Sequence, residues 1–153
     1  MYKRQYLESL PFLHVSDELE TVLVHGGLYP EIELWQQIPH AMIRAQLIHT
    51  QRPIGDIRWW ETDKEGRSEE SNRAEGWVRW YEVYDHPYLC VYGHSVFKEP
   101  YYHVNKVGGR SLGIDTGCVF GGTLTAVVLP EMKFISVPAC REYVPYRLRG
   151  QIG

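Results

Sequence analysis

The chain has 153 residues, 44% of them hydrophobic and 13% aromatic, enough for one domain with its own core and too apolar for a disordered chain. With 16 basic against 19 acidic side chains the net charge is −3, so no broad electrostatic attraction to nucleic acid or anionic membrane is expected. No apolar run approaches the roughly 20 residues of a bilayer span, and the scattered Cys90, Cys118 and Cys140 fit reduced, buried thiols of a cytoplasmic protein better than a disulfide framework.

Residues 2–10 place Tyr2, Tyr6, Leu7 and Leu10 on one helical face, and Pro11 stops the run. Residues 20–24 (ETVLV) read as a short buried strand ending in His25-Gly26-Gly27. Paired glycines there mark an unusual φ or a close backbone approach. Residues 31–49 are helix-like, interrupted by Pro39, and the charged stretch 61–75 reads as a solvated loop. Trp77, Trp80, Tyr81 and Tyr84 predict a helix over 76–85 with one buried face. The acidic segment 61–75 nearby favours core packing for these aromatics, with Trp59 and Trp60, over a base-stacking platform. Short strands follow at 88–92, 101–107, 111–115, 123–129 and 133–137, separated by glycine and proline turns. They predict a mostly antiparallel meander, and residues 141–153 read as a peripheral tail. The fold class is α/β.

Two histidines share one setting. His25 follows ETVLV and precedes Gly-Gly; His94 follows YLCVY-Gly. An imidazole at the end of a buried strand stands on rigid backbone with its tip in a loop-lined crevice. Imidazole nitrogen ligates zinc, iron and manganese, although an ordinary histidine hydrogen-bonded at a strand end is an equal alternative. Asp115-Thr116-Gly117 resembles the way an aspartic protease presents its carboxylate, but such a site needs two copies and the chain has one. A turn-capping Asp115 is the expectation.

Four motifs stand in order: Val24-His25-Gly26-Gly27-Leu28, Val91-Tyr92-Gly93-His94-Ser95, residues 113–126 (GIDTGCVFGGTLTA), and Ser136-Val137-Pro138-Ala139, with segment 6–12 (YLESLPF) ahead of them. Together they resemble the calcineurin-like metallophosphoesterases, nearest the bacterial branch of symmetrical diadenosine tetraphosphatases, protein phosphatases and polynucleotide kinase-phosphatases. The resemblance implies a β-sandwich flanked by helices, of which residues 1–140 form the C-terminal half. It implies two divalent metal ions (manganese, iron or zinc) in the intact protein, with His25 and His94 on one of them. The family's Asp-x-His, Gly-Asp-x-x-Asp-Arg and Gly-Asn-His motifs, which supply the other metal ligands and the catalytic histidine, do not occur in this sequence. At most one ion, weakly held, is therefore expected on this chain, and its catalytic residues are unassigned. Arg73 stands roughly where related phosphatases carry a phosphate-binding arginine. The implied function is hydrolysis of a phosphorylated nucleotide or phosphoprotein, completed by the missing N-terminal half. A non-catalytic interaction or regulatory domain of the same fold is the alternative, and a dimeric protease using Asp115 a distant third.

Overall fold

The computed structural model describes residues 5–6, 8–52, 54, 56–58 and 69–145. Its main sheet has five strands in the order β1-β2-β6-β8-β7, formed by β1 (Leu13–Ser16), β2 (Thr21–Val24), β6 (Leu89–Tyr92), β7 (Tyr101–Val104) and β8 (Arg110–Gly113). Between β2 and β6 the chain builds helix α1 (Pro39–Arg44), a small antiparallel sheet of β3 (Leu47–His49), β4 (Ile57–Arg58) and β5 (Trp77–Arg79), and helix α2 (Glu69–Ala74). The hairpin of β9 (Thr123–Val128) and β10 (Lys133–Pro138) closes the order.

Pairing is mostly antiparallel, as the turn signals predict, but β2–β6 and β6–β8 are parallel. The expected meander is corrected there, because β7 turns back to the outer edge of β8 and leaves β8 free to lie along β6. Strand β6 is buried along its whole length, as a central parallel strand covered on both faces must be. Alternation then divides the core. Cys90 and Tyr92 face Val22, Leu28, Met42, Trp80 and Tyr84, while Leu89 and Val91 join Leu112 beneath Val127, Leu129 and Met132 of the hairpin.

The predicted helix over 76–85 is a strand and a 3-10 turn, Trp80–Glu82. Gly76 has φ +86° with the His49 ring packed close to it, and from there Trp77–Arg79 pair with β3. A turn that repeats every three residues buries Trp80 and Tyr81 much as a helix would, so aromatic spacing alone does not separate the two. The aromatics do pack as core: Trp77, Trp80, Tyr81 and Tyr84 are all buried, while Trp59 and Trp60 lie outside the described residues. Residues 31–49 are helical only at Pro39–Arg44, with a 3-10 turn at Leu34–Gln36 and β3 at the end. Within 61–75, residues 69–74 are α2 rather than loop, and 61–68 lie outside the described residues. Of the 2–10 helix, residues 5, 6 and 8 are helical and exposed; residues 1–4 and 7 lie outside the described residues. Strand β1 has no counterpart in the sequence reading. Cys90 is buried, but Cys118 is half-buried and Cys140 exposed, because turns rather than apolar strands carry them.

Burial raises the Cys90 thiol and the Tyr84 and Tyr92 phenols well above their ordinary ranges. Groups whose folded pKa is raised give stability that is complete below the unfolded pKa and lost as pH rises. The ordinary values are 9.0 for the thiol and 10.0 for the phenols. Denaturant unfolding therefore shows stability flat from neutrality to about pH 8.5 and falling steadily above it. Stability that rises between pH 9 and 11 would contradict this account of the core.

Candidate metal centre

Three parallel strands end side by side. The register Val24–Tyr92 and Tyr92–Gly113 makes the chain leave the sheet in one row at His25, Gly93 and Ile114. The ladder runs one step further: the Gly93 N–H donates to the His25 carbonyl at 3.1 Å and the Ile114 N–H to the Tyr92 carbonyl at 2.9 Å. Crevices outside the carboxyl ends of parallel strands are where α/β sheets bind ligands.

The glycines after His25 serve close approach. The N–H groups of Gly26 and Gly27 donate to the carbonyls of Met42 and Ala41 at 2.6 and 3.1 Å. A Cβ on Gly26 would come within 2.7–2.9 Å of backbone atoms of Arg44, Ile43 and Ala41. His25 is thereby pinned to the end of α1, its side chain exposed. His94 is held differently. Its φ is +59°, the left-handed region, which costs a non-glycine residue on the order of 1–3 kcal/mol. Around it the Ser95 N–H donates to the Gly93 carbonyl at 2.5 Å and the Gln46 side-chain amide to the His94 carbonyl at 3.3 Å.

The two rings meet. Their centroids are 5.2 Å apart with planes tilted by 57°. Two imidazoles sharing one tetrahedral ion at about 2.0–2.1 Å per nitrogen have ring centres roughly 5 Å apart. The donor chemistry and the spacing therefore fit two positions of one ion. Among the described residues no group of three or more His, Cys, Asp or Glu side chains converges to hold a metal. The crevice, about 340 Å³, is lined also by Asp115, Thr116, Cys118, Thr123 and Thr125.

Asp115 caps its turn, as expected: Oδ1 accepts from the Gly117 N–H at 3.0 Å, and Gly117 has φ +71°. A Cβ built on Gly93 would lie 3.7 Å from His25 Nδ1 and 3.9 Å from the Asp115 Cβ, and Asp115 lines the same crevice as the two histidines. Among the described residues no second aspartate lines the crevice. Sequence reasoning missed that Asp115 reaches the rim at all. The signal that finds it is the parallel register of β6 and β8, which no local pattern carries. Arg73 is not among the crevice residues. It sits in the last turn of α2, its Nη2 2.6 Å from Glu82 Oε1. His49 is structural, its Nδ1 accepting from the Gln51 N–H at 3.0 Å.

No protein-family model matches the chain. It is 32% identical over 154 residues to the asymmetrical bis(5'-nucleosyl)-tetraphosphatase PrpE of Geobacillus thermodenitrificans, a match covering 97% of this chain and 54% of that relative. The protein of the same name from Anoxybacillus flavithermus is 47% identical over 70 residues, 46% of this chain and 26% of the relative. A crystal structure provisionally described as a diadenosine tetraphosphatase shares the fold, with a TM-score of 0.66 at 23% identity over 91% of this chain and 55% of that one. The chain thus spans about half the length of the relatives it matches. Their names carry the word asymmetrical, where the motifs had pointed to the symmetrical branch. In sequence and in fold the chain is a relative of the bis(5'-nucleosyl)-tetraphosphatases, in keeping with the calcineurin-like metallophosphoesterase relationship that its motif order indicates.

Proposed function

We propose that this chain is the C-terminal half of a metal-dependent phosphoesterase whose intact form hydrolyses dinucleoside polyphosphates. His25 and His94 supply two ligands to one of two divalent ions, manganese, iron or zinc. The observation that carries the proposal is the meeting of these two imidazoles, 5.2 Å apart, at the ends of adjacent parallel strands. The nucleotide substrate follows from the names of the relatives; a phosphoprotein is the second choice. Cytoplasmic location suits a nucleotide substrate and three unpaired cysteines.

His25 and His94 would hold one divalent ion, which would supply Lewis-acid chemistry by making a water more nucleophilic and offsetting charge on the phosphoryl group. The chain's own part is to present two imidazole nitrogens on backbone held by hydrogen bonds. The hydrogen bonds of Gly26, Gly27 and Gln46 set their spacing in advance of substrate. Arg73 is the substrate-side candidate. Its planar fork suits phosphate, and it would exchange Glu82 for the substrate. A regulatory domain of the same fold is the alternative; the two imidazoles brought together at the strand ends argue against it, since a purely structural relic has no need of them there.

The test is manganese- or zinc-supplemented hydrolysis of diadenosine tetraphosphate. The 153-residue chain alone turns over little or none. Mixed with the part of the Geobacillus thermodenitrificans relative that it does not span, it gains metal-dependent activity. Robust turnover by the chain alone, surviving alanine at both His25 and His94, would sink the proposal.

A further inference from the structure

We infer that Gln46 is a positioning residue for the metal centre: its buried side-chain amide holds the backbone of His94 from the same short segment that holds His25, and so sets the spacing of the two imidazoles. This rests on the metal-binding role proposed for the two histidines. Gln46 stands two residues beyond the end of α1 and one before β3, and it is only 6% exposed. A buried amide needs hydrogen-bond partners, and this one reaches across 48 positions of the chain to donate to the His94 carbonyl.

The contact falls where the backbone needs it. His94 has φ +59°, and a non-glycine residue stays in the left-handed region only where its surroundings over-determine it. The peptide plane joining His94 to Ser95 is held at both ends. Its N–H donates to the Gly93 carbonyl at 2.5 Å, and its carbonyl accepts from Gln46 at 3.3 Å. Rotation of that plane changes ψ of His94 and swings the imidazole, whereas a ligand set works within about 0.5 Å of its productive geometry.

His25 is tied to the same piece of chain. The carbonyls of Ala41 and Met42 accept from Gly27 and Gly26, and α1 closes with the Ala45 N–H donating to the Ala41 carbonyl at 2.9 Å, one residue before Gln46. From behind, the Gln46 carbonyl accepts from the Trp80 N–H at 3.4 Å, and Leu47 pairs with Arg79. Residues 41–46 therefore bracket the pair, with main-chain bonds to the turn after His25 at one end and a side chain on His94 at the other. A second buried glutamine provides the comparison. Gln37, 7% exposed, bonds in the same way to the backbone of Tyr29 and Ile32, neither of which lines the crevice.

The experiment titrates the full 153-residue chain with zinc, follows the ring signals of His25 and His94 by NMR, and measures urea unfolding of the same variants. Gln46→Met keeps the volume and removes the donor. It weakens zinc binding about tenfold, as loss of a group that orients a ligand does, and before any zinc is added it moves the His94 Cα and Cβ resonances away from left-handed values. Gln37→Met is destabilised to a similar degree and keeps its zinc affinity. Gln46→Asn, which retains an amide of shorter reach, repeats the test should Gln46→Met lose its native circular dichroism. Unchanged zinc affinity in the folded Gln46 variant, left-handed His94 resonances retained in it, or an equal loss of affinity in Gln37→Met would each overturn the proposal. His25→Ala separates the two readings. If it abolishes zinc binding while the Gln46 variant binds normally, only the role of Gln46 falls; if zinc binding survives it, the metal centre falls and the positioning role with it.

Discussion

Alanine at either His25 or His94 abolishes measurable zinc binding by the chain, and in the complemented protein lowers metal-dependent hydrolysis by at least about a hundredfold. Even outer groups that only orient a ligand account for about 10–100-fold in affinity or activity, and each of these residues is a proposed direct ligand. The two substitutions should not add. Once one imidazole is gone the other holds an ion by a single bond, so the double variant resembles either single one. His14→Ala is the control: it also sits on a strand of the main sheet, but at the exposed edge and away from the crevice. Competition against a chromophoric chelator reads the affinity without any turnover. Equal affinities for the wild type and both variants would mean that the rings meet for a structural reason alone.

Trp80→Ala is the substitution with the largest expected effect on stability. The indole is fully buried, with Tyr92, Tyr84 and Tyr81 edge-on to it at 4.7, 5.9 and 6.0 Å. Gly27 lies flat against it, where a Cβ would come within 2.5 Å of the ring. Removing a buried tryptophan costs about 3–5 kcal/mol, a large part of the 5–15 kcal/mol that holds a typical domain together. Because Gly27 leans on the ring two residues after His25, the cavity also loosens the metal crevice. Urea unfolding gives the stability, and a loss below about 1 kcal/mol would show that the surrounding aromatics collapse into the space. Trp80→Phe, which keeps most of the ring contacts, should lose less than half as much.

The parts of the site written in short local patterns were legible in the sequence. An apolar run ending in His-Gly-Gly reports a strand end and a tight contact, and Gly26 and Gly27 do lie against backbone and indole. Asp-Thr-Gly reports a capped turn, and Asp115 makes it. Parallel pairing was not legible. Strands β6 and β8 read as neighbours in a meander because β7 lies between them in the chain, and only the whole sheet decides which edge β7 takes. Residues 76–85 misled for a different reason: strand and 3-10 turn together bury the same aromatics as a helix. Arg73 was placed in a loop because its surroundings are charged, yet acidic and basic residues at helical spacing suit a solvated helix equally well.

The backbone of His94 has one further consequence. A glycine at that position would relax the left-handed turn, so selection for stability alone pushes steadily against histidine there. A lineage that had stopped needing the imidazole would be released from that pressure, and drift would favour its replacement by a residue at ease with positive φ. Whether His94 or glycine occupies this turn in a related protein therefore bears on whether that protein keeps the proposed imidazole pair.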